Sequence, residues 1–448
     1  MRNKIFCIIS IISILCLISC IVLRSTYHNF SANNVKNNIK YLSSKKFEGR
    51  LTGSDANNKV TSEIKNLFKD YNLKPLSDDY LEPFTIKTPV YTNGSASIKI
   101  QNGDALIKEL VPGVDFKEDM LNCKSSSVQI TKDDKITIFP KSILVEKDDK
   151  KYIFYVTFDE GFPFRSSFIY DCPFEFAVQI NTNTFKEILT SIRNGYTVNV
   201  YLPYVVEEKT VYNVVGKIEG SNDDLAPLII TAHFDHVGKD SLGNIYYGAL
   251  DNASGICFLL ELAHTYSTLK TPTRDIIFVA LNAEEMGLIG SQNFASRYCK
   301  ELKGASVINF DMIGADNTLI TFMNGKNTDN ENNELLNNLE AICVDNELGY
   351  LASNEDSSDH ASFVEYGFNA LTICHSDTSN IHTPRDTVDN ISVNAISNVQ
   401  KLTNQYIIDN CYSNFTLLIY SKYTLLFFTI SSGALIIFYF IKYKKKES

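Results

Sequence analysis

Apolar positions recur with different periods along this chain, and the changes of period divide it. Between Ser31 and Leu73 the period is helical: Val35, Ile39 and Leu42 share one face, and further on Val60, Ile64, Leu67, Phe68 and Tyr71 share another. The loop between these two predicted helices, 47-FEGRLTGSDA-56, bears glycines, and Ser54 is placed to cap the second helix. From about Pro83 to Glu208 the texture turns to short β-type runs such as ASIKI, KYIFYVTF, EFAVQI and TVNVYLPYV, broken by Asn, Asp, Gly and Lys turns. A small, mainly β insertion is expected there, and no cluster of His or acid residues in it suggests chemistry. From Val211 onward, strand-like runs (APLIITAHF, TRDIIFVALN, GASVINFDM, FNALTIC) alternate with helix-like ones (ASGICFLLELAHTYSTL, SVNAISNVQKLTNQYIID). That alternation predicts an α/β fold: a mostly parallel central sheet with helices on both faces.

Two unbroken apolar runs stand outside this scheme. Residues 5–23 follow a short basic head with Arg2 and Lys4, and residues 423–441 precede Lys442, Lys444, Lys445 and Lys446. Each is long enough to cross a bilayer. The first is expected to be an uncleaved anchor or a signal; LISC, ending at Cys20, also reads as a lipoprotein processing site, against which the apolar IVL that follows it speaks. With basic residues outside both runs, the positive-inside rule places both termini in the cytoplasm and all between them outside the cell.

Composition narrows the classes further. The 448 residues have room for one large domain with an insertion, and the net charge of −10 gives no footprint for nucleic acid. Of ten cysteines three lie in the first apolar run, and the other seven show no CxxC spacing, which argues against a thiolate zinc site. Outside the cell a disulfide is permitted, Cys123 with Cys172 being the pair to test, and buried free thiols fit as well.

The polar residues that matter fall where predicted strands end, the edge at which open α/β sheets bind ligands. LIITAHFD ends on His233 and Asp235, IIFVALNAEE on Glu284 and Glu285, and VINFDMIG on Asp311. Asp251 sits in the turn GALDNASG before a helix, and His382 in IHTPRDTVDN, with Asp386 or Asp389 near enough to orient it. Acid groups converging on one sheet edge repel one another and are costly to desolvate, and divalent cations are the simplest compensation. Zinc suits such a mixture of imidazole and carboxylate. Of the pair Glu284–Glu285, one can ligate while its neighbour takes a proton from water, as hydrolysis requires.

In order and local sequence, AHFDHVG, GALDNASG, NAEEMGLIGS, INFDMIG and IHTPRDT closely resemble peptidase family 28, the di-zinc aminopeptidases, and FEGRLTGS resembles the loop that precedes the catalytic core there. The resemblance implies a zinc aminopeptidase-like fold and two zinc ions, other divalent ions being possible, bridged by Asp251. Glu285 and His382 would complete one site, His233 and Asp311 the other, with Glu284 as general base and Asp235 holding His233. It divides the chain into an anchor or signal (5–23), the first part of the peptidase domain (31–82), the β insertion (83–208), the di-zinc catalytic domain (209–411) and a C-terminal transmembrane helix (423–441). The expected activity is a cell-membrane exopeptidase acting on peptides outside the cell. An aminopeptidase is favoured; a carboxypeptidase or dipeptidase would need a basic clamp, for which Arg274, Arg297 and Arg385 are available, and a silent receptor would lack ligands that are all present here. His236 is expected at solvent or in a surface hydrogen bond. In 358-SDHASF-363, His360 and Phe363 line the substrate pocket or pack in the core. Family members with a tyrosine before the last histidine use it on the oxyanion; Ile381 stands here.

Overall fold

A computed structural model describes residues 2–92 and 94–447. The strand-like runs after Val211 form the middle of an eight-stranded sheet. Its order is Leu81–Tyr91, Tyr204–Ile218, Ile276–Leu281, Leu228–His233, Ser306–Phe310, Asn369–His375, Ile320–Asn324 and Tyr350–Asn354. The four central strands run parallel and are buried, except at the first residues of two of them, Ser306 and Asn369. The flanks do not follow: Tyr204–Ile218 is antiparallel both to Leu81–Tyr91 and to Ile276–Leu281, and Ile320–Asn324 is antiparallel to Asn369–His375. The sheet is therefore mixed rather than mostly parallel. A parallel return needs a crossover of a dozen or more residues; 219–227 and 311–319 are shorter and carry no helix, so the chain reverses there.

Alternate residues of a strand point to opposite faces, and each face has its own core. Ile230, Ala232, Phe278 and Ile308 pack beneath helices Ala32–Leu42, Gly255–Ser267 and Val393–Cys411. Ile229, Ile277, Val279 and Val307 pack with Phe294 and Phe363, from helices Ile289–Tyr298 and His360–Glu365. Ser54 caps helix Asp55–Asp70 by accepting from the Asn57 amide.

Between Leu81–Tyr91 and Tyr204–Ile218 the chain builds a four-stranded and a five-stranded sheet, with one helix, Thr182–Arg193. The cysteines are all free, Cys123 and Cys172 among them, so the disulfide weighed from the sequence is not formed.

The two apolar runs are helices, Arg2–Thr26 and Lys422–Glu447, whose stretches Phe6–Thr26 and Lys422–Ile441 are long and apolar enough to cross a membrane. They pack antiparallel. Ser13 Oγ lies 2.8 Å from Ser432 Oγ and 3.0 Å from Ser431 Oγ, the rings of Phe6 and Phe438 meet at 5.2 Å, and Arg24 donates to the Tyr420 carbonyl.

Candidate metal centre

The seven residues singled out at strand ends and turns converge at the carboxyl edge of the parallel strands. Leu228–His233 delivers His233 and, two residues on, Asp235; Ile276–Leu281 leads into the Glu284–Met286 turn; Ser306–Phe310 ends just before Asp311. Asp251 stands in a tight turn ahead of helix Gly255–Ser267. Gly248 opens that turn at φ 58°, and a Cβ there would lie 2.4 Å from the Asp251 carbonyl oxygen and 2.6 Å from the His236 ring, so no larger residue fits.

Asp251 divides its two oxygens between two groups of donors. His233 Nε2 faces Asp311 Oδ1 at 3.3 Å and Asp251 Oδ1 at 3.5 Å. His382 Nε2 faces Asp251 Oδ2 and Glu285 Oε1, each at 3.2 Å. One ring nitrogen against two carboxylate oxygens is an arrangement that a single proton cannot satisfy and a cation can. Electrostatics says the same: burial would lower the imidazole pKa values, yet Asp311 and Glu284 push His233 well above its ordinary value, and Glu285 and Asp251 do so for His382. Positive charge is favoured at both places. The nitrogen and oxygen donors, within 4.8 Å of one another in each group, suit zinc.

His236, expected at the surface from the sequence, is not there. It is fully buried, its Nδ1 3.0 Å from Glu285 Oε1 and 3.9 Å from Asp251 Oδ2. Nothing in its local sequence marks it as buried; the turn after the strand folds both rings inward. Asp235 lies 3.6 Å from His233 Nδ1, and its stronger contacts are elsewhere: it accepts from the backbone amides of Glu284 (3.2 Å) and Glu285 (3.1 Å) and from Thr52 Oγ1 (2.9 Å). It therefore clamps the acid pair's turn as well as facing the histidine. Asp386 does not orient His382 either. Its carboxylate takes the amides of Leu250 (2.8 Å) and Asp251 (3.1 Å), while Asp389 is exposed. The group that His382 Nδ1 faces, at 3.0 Å, is the main-chain carbonyl of Arg165, in the β insertion.

Glu284 is part-exposed beside the buried Glu285. Desolvation raises its pKa well above the ordinary carboxyl value, with Glu285, Asp359 and Asp311 adding to the rise and His233 opposing it. Asp359 was not singled out from the sequence. It is fully buried, and burial together with Asp311 and Asp235 carries it up to about 7 against the pull of His233. His360 and Phe363 pack rather than line the site: His360 Nε2 meets the Glu355 carbonyl at 2.8 Å, and Phe363 sits in the core against Phe294 and Phe368. Ile381 is part-buried against the core. The FEGRLTGS loop braces the whole site. Arg50, fully buried, donates to the carbonyls of Leu42, Phe234, Tyr247 and Gly248, tying that loop to the strand end and the Asp251 turn.

A third group of donors, His28, Glu261 and His264, lies at the far end of helix Gly255–Ser267. The rings of His28 and His264 stack at 3.7 Å and 16°, so their in-plane lone pairs do not meet on one ion. Tyr71 continues the stack, and the group reads as packing.

Residues 213–407 match the family model described as Peptidase family M28. Aminopeptidase YwaD of Bacillus subtilis is 28% identical over 194 residues, covering 41% of this chain and 41% of that protein. A vacuolar membrane protease of Schizosaccharomyces pombe is 37% identical over 110 residues, 25% of this chain and 12% of that protein. The chain thus spans less than half the length of these curated relatives. Among solved structures, a zinc aminopeptidase from Bacillus subtilis shares the fold with a TM-score of 0.61 and 16% identity, over 86% of this chain and 97% of that one. His233, Asp235, Asp251, Glu284, Glu285, Asp311 and His382 all fall inside the segment that matches the Peptidase family M28 model.

Proposed function

We propose that the chain is a membrane-anchored aminopeptidase that removes N-terminal residues from peptides with two zinc ions. The observation that carries this reading is the division of the Asp251 carboxylate between two donor groups, His233 with Asp311 and His382 with Glu285. Zinc held there would polarise the scissile carbonyl, make water acidic near neutral pH and offset the charge of the oxyanion. The rest falls to the chain's own groups. Glu284, with its raised pKa, takes a proton from the attacking water and returns it to the leaving amine. Asp235 fixes the turn from which Glu284 projects, through the two amides it accepts.

The balance of charge favours a substrate amino group over a carboxylate. Asp235, Asp251, Glu285 and Asp311 match the four positive charges of two divalent ions, and Glu284 and Asp359, whose pKa values are raised, add negative charge as they ionise, so no positive charge is left over for a substrate carboxylate. The basic residues that a carboxypeptidase would need are mostly engaged elsewhere: Arg297 pairs with Glu82 and Pro83, and Arg274 precedes the start of strand Ile276–Leu281, at the opposite end from the site. Arg385 alone lies in the His382 loop, with its Nε on Asn380.

The antiparallel terminal helices support a hairpin with both ends on one side of a membrane. Arg2, Lys4 and the lysines after 441 then favour the cytoplasm for that side, with the catalytic part outside the cell.

The test uses the full chain in detergent and peptides that are free or blocked at either end. Release of amino acids is expected only from peptides with a free amino terminus, to be lost on chelation and restored by zinc. Glu284→Gln should lower kcat by about 10²- to 10⁴-fold, the usual worth of a positioned base. A requirement for a free carboxyl terminus would instead mean a carboxypeptidase, and full activity in Glu284→Gln would remove the mechanism.

A further inference from the structure

The outer contacts of the two donor groups are built alike but come from different parts of the chain. In each group the carboxylate not shared through Asp251 has its outward oxygen held by a serine. Ser358 Oγ donates to Asp311 Oδ2 at 2.7 Å, leaving Oδ1 to face His233. Ser167 Oγ donates to Glu285 Oε2, leaving Oε1 to face His382 and His236. Ser358 belongs to the segment before helix His360–Glu365 of the core; Ser167 belongs to the β insertion.

The insertion's other contacts converge on the same half of the site. The Arg165 carbonyl takes His382 Nδ1, which fixes the tautomer whose Nε2 faces the carboxylates, and the Arg165 amide donates to the His382 carbonyl at 2.9 Å. The Phe168 amide donates to the Glu285 carbonyl at 2.9 Å, and the Phe164 ring stacks over His382. Residues 162–168 thus cross His382 and Glu285 as a strap, and the strap is itself held. Lys117, fully buried, donates to the carbonyls of Phe162 and Phe164; Gln179 Nε2 donates to the Phe164 carbonyl at 2.8 Å, and Asp119 Oδ1 accepts the Ser166 amide at 2.8 Å. Lys117, Asp119 and Gln179 stand on strands Phe116–Cys123 and Phe176–Ile180 of the insertion's five-stranded sheet, so the strap's position is dictated by that sheet.

We propose that the β insertion is part of the metal-binding apparatus. Ser167 is a positioning residue that orients Glu285, and the Arg165 carbonyl orients His382, so that zinc binding at this half of the site depends on the insertion while the His233–Asp311 half depends on the core alone. The inference rests on the two-zinc reading above. Groups that orient a ligand from behind typically matter by 10- to 100-fold in metal affinity, and Ser167, part-buried on a loop, can lose its hydroxyl without opening the core.

The experiment is calorimetric titration of zinc into the full chain stripped of metal. Wild type is expected to bind two ions. Ser167→Ala should weaken one of them by about 10- to 100-fold and leave the other unchanged; Ser358→Ala should do the converse. Ser167→Thr, which keeps the hydroxyl, should bind like wild type. The half affected is assigned in single-site backgrounds: Ser167→Ala should weaken the ion that remains in Asp311→Asn and have no effect on the one that remains in His382→Ala. Unchanged affinity for both ions in Ser167→Ala would overturn the proposal and leave the two-zinc reading standing. So would an equal loss in Ser167→Thr, which would make the position one of packing. Wild type that takes up no zinc at all would bring down the two-zinc reading and this inference with it.

Discussion

Lys117 is a buried cation whose role is mechanical. Desolvation pulls its pKa from 10.5 down to about 8, with Asp240, 3.9 Å away, opposing the fall. Between those two values the unfolded chain holds a proton that the folded chain releases, so the lysine makes stability rise with pH across the window from about 8 to 10.5; below 8 both states are protonated and the slope vanishes. Urea denaturation of wild type and Lys117→Met should therefore diverge in favour of wild type as pH rises from 8 to 10, by at most about 1.4 kcal/mol per pH unit; parallel curves would mean that Lys117 carries no shifted proton. At this scale the sequence was legible wherever a polar residue ended an apolar strand. His233, Glu285 and Asp311 were singled out that way, by their recurrence at one sheet edge and not by any one of them alone. What supports those groups was not legible. A main-chain carbonyl such as that of Arg165 has no sequence signature, and Ser167 and Asp359 are short polar residues in ordinary surroundings until the fold aims them.

The elements divide in the same way. Helix Gly255–Ser267, apolar nearly all round, was legible because no solvent-facing helix has that pattern. The antiparallel flanks of the sheet were not, because alternation of strand and helix specifies direction only where a helix makes the crossover. Strand Leu81–Tyr91, paired with Tyr204–Ile218 along its whole length, is separated from its partner by more than a hundred residues of chain, and no local pattern announces such a pairing. The terminal helices lend themselves to a direct check of register. Ser13 and Ser432 face each other with their hydroxyl oxygens 2.8 Å apart, so the double variant Ser13→Cys, Ser432→Cys should cross-link on mild oxidation. The band should shift on a non-reducing gel, and it should not do so when Ser10→Cys replaces Ser13→Cys.

For the molecule as a whole, the convergence of acids implies that folding and metal binding are linked. Like charges that repel in the bare site cease to do so when divalent ions lie between them, and a ligand that binds only the folded chain stabilises it by mass action. Free zinc a thousandfold above its dissociation constant should add about 4 kcal/mol per site. Thermal melting with and without chelator should show the difference, and Asp251→Asn, which removes the shared carboxylate, should abolish most of it.

The terminal hairpin joins the rest of the chain near the Thr268 end of helix Gly255–Ser267. His28 sits at the Thr268 end of helix Gly255–Ser267, on the Thr268 hydroxyl, while Asp251 precedes the helix's other end; Thr273, just ahead of strand Ile276–Leu281, donates to the carbonyl of Cys411. The reactive face is at the far pole, a helix of thirteen residues away, or roughly 20 Å. With the hairpin in a bilayer, the Asp251 end of that helix stands away from the tether. On the function proposed above, such an arrangement would trim chain ends that drift past in solution, or that hang well clear of the surface, and would leave untouched the termini of neighbours lying flat against the headgroups. Tethering would then set where trimming happens, and leave its chemistry to the end of the helix away from the tether.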